Sequence, residues 1–136
     1  MLNRAMSNRR DTVRQKAKIG GKHIYVDAGL YADGTIGEIF IVVEKTGDNN
    51  RWLYDEVARL ASKLIQHGCD VETVMESWLG TKGKPAGPVQ GDTHIKNCTS
   101  ILDYVARTIL VSYCGREDLS HVKVQERKVR PEEAGI

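Results

Sequence analysis

Lys82, Lys84 and Lys96 crowd a glycine- and proline-bearing run that ends in Asn97, Thr99, Ser100 and Asp103. After Ser100 the apolar residues take helical spacing, so cations, hydroxyls and free backbone N–H groups converge on one helix start. A helix start is electropositive, and such a convergence suits a phosphate or another anion. Gln90 and His94 lie in the same run, and Arg107 lies farther along the helix, where it can face the same pocket. Arg116 closes that helix. From Ser100 it is about 24 Å away, so it is placed to serve a neighbouring subunit's pocket. These eleven positions form the candidate ligand-binding set.

Covalent or acid–base chemistry is harder to find. Gly83-Lys84 is followed by Pro85, not by Ser or Thr, and the segment follows a helical pattern, which excludes a Walker loop. H-E-x-x-H and G-x-S-x-G are absent. His23, His67, His94 and His121 lack ligand-like spacing, and no C-x-x-C pair occurs, so neither a metal nor a cofactor is expected. Glu38 and Glu44 share a face of one strand, as a carboxylate pair would, or else they line a solvated face. Cys98 sits just before a helix start, where a thiolate is favoured, but no catalytic partner accompanies it. Trp78, beside the lysine run, can stack on a ring or pack in the core. An enzyme is not expected.

The elements that must position these residues follow from periodicity. Gly20-Gly21 between two extended runs signals a hairpin, and Ala32-Asp-Gly-Thr35 signals a second turn. Ile36-Gly-Glu-Ile-Phe-Ile-Val-Val-Glu44 is the most strand-like run and is expected as a central strand of an antiparallel meander. Thr46-Gly-Asp-Asn-Asn50 breaks the pattern. Leu53, Val57, Leu60, Ala61 and Leu64 then mark the core-facing stripe of a helix that stops at His67-Gly68. Asp70 caps a short second helix reaching Trp78-Leu79. A long glycine loop precedes the third helix, which Ser100 and Asp103 start with capping-box spacing and Cys114-Gly115 ends. Leu102, Val105, Ala106, Ile109, Leu110 and Tyr113 form its apolar face. Val122-Lys-Val124 is expected as an edge strand. Strands first and helices after predict an α+β fold, a small antiparallel sheet packed against two to three helices.

The 136 residues suit one domain, 40% apolar and 28% charged. Residues 1–9 are expected as a disordered basic arm, 10–124 as the domain and 125–136 as a loose tail. Residues 1–22 carry seven Lys and Arg against Asp11 alone, yet the net charge is only +2, so the remainder is acidic. Such an arm is more often solvated than bound to nucleic acid. Three widely spaced cysteines fit a reducing cytoplasm, and no run is long enough to span a membrane. The polar, basic first ten residues do not read as a signal peptide.

Asp33-Gly-Thr-Ile-Gly-Glu-Ile-Phe40, Pro85-Ala-Gly-Pro-Val-Gln-Gly91, Thr99-Ser-Ile-Leu-Asp-Tyr104 and Ser112-Tyr-Cys-Gly-Arg-Glu-Asp-Leu-Ser-His-Val122 resemble the TSCPD domain. This is the C-terminal domain of cobalamin-dependent (class II) ribonucleotide reductases, and the resemblance runs over residues 10–122. It does not extend to the barrel that binds cobalamin, so it implies no ribonucleotide reduction by this chain alone. A looser similarity in build links the chain to phage Thoeris anti-defence proteins that sequester signals. Together these resemblances imply a non-enzymatic, homo-oligomeric protein that binds a nucleotide-derived small molecule. The expected role is a sponge for a cyclic ADP-ribose-type or cyclic oligonucleotide signal, in the host cytoplasm if phage-encoded. The alternative is an accessory nucleotide-binding domain of a cobalamin-dependent reductase system.

Overall fold

Gly20 and Gly21 both hold positive φ, 56° and 81°, and link β1 (Thr12–Ile19) to β2 (Lys22–Leu30). Positive φ at both link positions matches the twist of paired strands, and glycine adopts it without a Cβ clash. The chain turns again at Asp33-Gly34, where the Asp33 carboxylate accepts the Thr35 N–H and hydroxyl, and enters β3 (Ile36–Val43). Register aligns Ala17, Ile24 and Val43 across the meander, and all three are buried. Lys16, Tyr25 and Val42 align on the opposite face. The computed structural model describes residues 3–44 and 50–122. The expected Val122-Lys-Val124 strand beyond Val122, the 125–136 tail and most of the Thr46–Asn50 break lie outside these residues.

Three helices follow: α1 (Arg51–Gln66), α2 (Val71–Glu76) and α3 (Ile101–Tyr113). Asp70 caps α2 by accepting the Thr73 N–H, and Ser100 caps α3. The run between α2 and α3 is not a plain loop. It contributes β4 (Gly87–Gln90) and β5 (Asn97–Cys98), completing a five-stranded antiparallel sheet in the order β3-β2-β1-β4-β5. The fold is α+β, with strands and all three helices sharing one apolar core. α3 runs through it, with Tyr104, Val105, Ala106 and Leu110 fully buried.

Two expectations are corrected. β3 stands at the sheet edge, not its centre, among the described strands. It is nonetheless apolar because α1 closes that edge. Ser62 Oγ accepts the Ile39 N–H (2.9 Å) and donates to oxygen acceptors that include the Ile39 carbonyl, while Gln66 Nε2 donates to the Gly37 carbonyl (3.0 Å). The second correction concerns the face α1 buries. That face is Ala58, Ala61, Ser62 and Ile65, whereas Leu53, Leu60 and Leu64 are exposed. Small residues let the helix approach the strand backbone closely enough for Ser62 to bridge it. A stripe of leucines would hold it off.

The basic arm runs back over this edge. Arg4 donates its backbone N–H to the Gln66 carbonyl, pairs with Asp33 at 3.0 Å and lies 3.6 Å from the centre of the Tyr31 ring. Arg10 pairs with the buried Glu38, whose carboxylate occupies space left open by Gly29.

Candidate functional site

A carboxylate of the chain itself lies beside the start of α3 and takes the N–H of Thr99, the residue before its cap. Ser100 holds extended backbone and its Oγ accepts the Asp103 N–H at 2.9 Å. Asp103, three residues into the helix, folds back over the helix start. Its carboxylate accepts the Gly80 N–H (2.8 Å) and the Thr99 N–H (3.0 Å) and pairs with Arg107 Nε at 3.1 Å. Asp103 is wholly buried, and Ser100, also buried, meets the Thr81 hydroxyl at 2.8 Å. Ser100, Asp103 and Arg107, expected to face a ligand, therefore face each other and the preceding turn. Burial acts to raise the Asp103 carboxyl, but the two N–H donors and the Arg107 guanidinium outweigh it and hold it below 3.8.

A second buried carboxylate, Asp92, was not among the sequence candidates. One oxygen accepts the His94 and Ile95 N–H groups (2.9 and 3.0 Å), and the other accepts the Tyr104 and Thr108 hydroxyls (2.8 and 3.0 Å). Burial again acts to raise this carboxyl and is outweighed, here by four donors, so it too lies below 3.8. The Tyr104 phenol is pushed well above its ordinary range by burial and by the neighbouring charge, and stays neutral. The available signal was Tyr104 and Thr108, two hydroxyls four residues apart on one side of a largely apolar helix. Both needed a polar partner inside the core.

The other candidates scatter. Lys96 donates Nζ to the Asp92 carbonyl (2.7 Å) and its backbone N–H to His121 Nδ1 (3.0 Å), and the His94 carbonyl accepts the His121 N–H (2.8 Å). These bonds tie the 92–96 turn to the segment after α3. Thr99 Oγ1 donates to the Thr81 carbonyl, and Asn97 is exposed on β5. Arg116 meets Glu72, Glu76 and Asp118 of its own chain at 2.7–3.1 Å. Lys82, Lys84 and Gln90 are exposed. Lys84 shares an open cleft of about 500 Å³ with Gly20, Lys22 and Pro85, and Gln90 shares one of about 360 Å³ with Lys18, Gly20 and Gly21. The two clefts flank the β1–β2 turn and bring Lys18, Lys22 and Lys84 to it, whereas Lys82 lies between Thr81 and Gly83, which bond Thr99 and Ser100 at the α3 start.

Groups suited to catalysis stay apart. Burial, with Asp103 nearby, pushes the Cys98 thiol up, away from a reactive thiolate. Glu38 is paired with Arg10, whereas Glu44 accepts the His23 N–H, and six strand residues separate them by about 20 Å. Trp78 is partly buried against the core. Among the described residues no group of three or more His, Cys, Asp or Glu is placed to hold a metal, and no helix is long and apolar enough to cross a membrane.

The chain is similar to large reductases over a small part of their length. It is 46% identical over 121 residues to the vitamin B12-dependent ribonucleotide reductase of Agrobacterium fabrum, a match covering 89% of this chain and 10% of that protein. It is 43% identical over the same shares to the reductase of that name from Bradyrhizobium diazoefficiens. The vitamin B12-dependent ribonucleotide reductase of Rhodopirellula baltica is 29% identical over 82% of this chain and 11% of its own length. The chain thus spans about a tenth of the length of these relatives. No solved structure gives a significant match. The shared stretch contains the carboxylate-closed helix start and the strands that carry it. The profile of the TSCPD domain matches residues 4–113, from the arm to the end of α3, and the chain belongs to that domain family.

Proposed function

We propose that this chain is a non-catalytic accessory domain that works with a cobalamin-dependent ribonucleotide reductase and takes a nucleotide's phosphates in the clefts beside the Gly20-Gly21 turn. The observation that carries this proposal is the similarity itself: 46% identity across 89% of the chain to one tenth of a reductase. A region so small within such an enzyme is better suited to assisting the reaction centre than to containing it. The internal chemistry supports the same role. Asp92 and Asp103 have their acceptor positions filled by donors of the chain, so neither is available as a general base. Lys22 and Lys84 line one of the turn clefts and Lys18 the other, and several cations beside one turn suit a di- or triphosphate. None of the three relatives is named as a signal-sequestering protein, so they lend the sponge role no support.

The test uses the Agrobacterium reductase with its matching residues deleted. Deoxynucleotide formation is measured with and without this chain added in trans, and the chain is titrated with deoxynucleoside triphosphates by calorimetry. Recovery of activity, together with binding that weakens about tenfold in Lys84→Ala, is expected. No recovery and no nucleotide binding would sink the proposal. Tight binding of a cyclic nucleotide, released intact on heating, would favour the sponge instead.

A further inference from the structure

The leucines that α1 leaves outside form an ordered seam. Leu53, Val57, Leu60 and Leu64 follow one another at intervals of four, three and four residues, the spacing of residues that face a partner helix. Leu53, Leu60 and Leu64 are 42%, 61% and 41% exposed, on a helix whose other face is already closed against β3. Scattered exposed leucines need no explanation, but a continuous apolar stripe flanked by charge does.

We propose that this seam binds the same seam of a second copy of the chain, with the two helices antiparallel. The four-three-four spacing reads identically in both directions. An antiparallel pair therefore sets Leu53 against the partner's Leu64 and Val57 against the partner's Leu60. Charge selects the same orientation. Glu56, which within its own helix pairs with Arg59 at 2.6 Å, and Lys63 lie on one flank of the seam, seven residues apart. In an antiparallel pair that flank meets its own counterpart, so each Glu56 comes beside the partner's Lys63, and the two-fold axis repeats the contact. In a parallel pair the same flank meets Tyr54 and Ala61, which offer no opposite charge. Ala58, Ala61, Ser62 and Ile65 point into the domain and leave the leucines of the seam uncovered.

Sedimentation of the full chain tests this directly, with circular dichroism as the check on folding. A dimer is expected at micromolar concentration, and Leu60→Glu should convert it to a folded monomer. Lys63→Glu and Glu56→Lys should each weaken association by about tenfold or more, since each turns two attractions into two repulsions. The double variant, with the charges exchanged, should regain the parent affinity. A monomeric parent would overturn the proposal. So would a dimer indifferent to Leu60→Glu, single charge reversals without effect, or a seam that binds only the deleted-domain reductase. Because sedimentation of the chain and its variants involves neither nucleotide nor reductase, failure of the dimer is distinguishable from failure of the accessory role.

Discussion

A buried carboxylate is tolerated only where donors surround it, and Asp103 and Asp92 meet that condition with backbone and side-chain donors of the chain itself. Removing one leaves its donors without partners. Asp103→Ala strands the Gly80 and Thr99 N–H groups and the Arg107 guanidinium, a loss of about 3–5 kcal/mol, to be read from urea midpoints. The same carboxyls set an acid limit. Both have folded values below the ordinary 3.8, so below that pH the unfolded chain binds more protons than the folded one. Their stabilisation is complete above that ordinary value and is lost as pH falls through the lower folded values. Urea midpoints taken from neutral pH to about pH 3 should therefore fall at the acid end, and Asp103→Asn should lower the neutral midpoint while flattening that fall. An identical acid slope in parent and variant would show that Asp103 does not carry the effect.

Elements here obey two kinds of instruction, local and distant. The Gly20-Gly21 link and the Asp70 and Ser100 caps act within a few residues of themselves, and so the hairpin and the starts of α2 and α3 are legible in the sequence. The face of α1 is not, because two stripes compete on that helix. Leu53, Val57, Leu60 and Leu64 win on hydropathy, whereas Ala58, Ala61, Ser62 and Ile65 win on closeness of approach to β3. Only the assembled sheet edge decides between them. Asp92 was hidden for the same reason: its hydroxyl donors, Tyr104 and Thr108, are distant in sequence. Charge at the α3 start was legible, but the inward turn of Asp103 was not, since one of its two N–H donors, Gly80, lies 23 residues away in sequence. The α1–β3 seal makes a measurable claim. Ser62→Ala removes the side-chain partner of the Ile39 N–H and carbonyl inside a buried contact, which should cost about 1–3 kcal/mol. Amide exchange at Ile39 should quicken while Val26, in the neighbouring strand, stays protected. Equal protection at Ile39 in parent and variant would mean that the seal does not depend on this hydroxyl. An edge so opened also becomes available for pairing between chains, so the variant should aggregate more readily on mild heating.

At the scale of the molecule, the question is whether a tenth of a reductase can fold without the rest. Strands from both ends of the sheet and all three helices contribute to one apolar cluster, and the described buried polar side chains find their donors and acceptors within the chain apart from His23 Nδ1. A core that closes on itself in this way is expected to fold without a neighbour. The exposed α1 seam is then a surface added to a finished domain, not a gap in its core. The same logic extends to the 121 residues of the Agrobacterium reductase that are 46% identical. Excised, that region should remain soluble and unfold in a single cooperative urea transition, with a stability within the ordinary domain range of about 5–15 kcal/mol. Near-ultraviolet circular dichroism reports whether its aromatic residues are fixed, and coincidence of the near- and far-ultraviolet transitions tests cooperativity. A region with helical content but no fixed aromatic signal would show that the enzyme body completes the core. A cooperative fold would instead show that evolution can attach or detach this unit without rebuilding it, leaving the clefts and the seam as the places where partners are chosen.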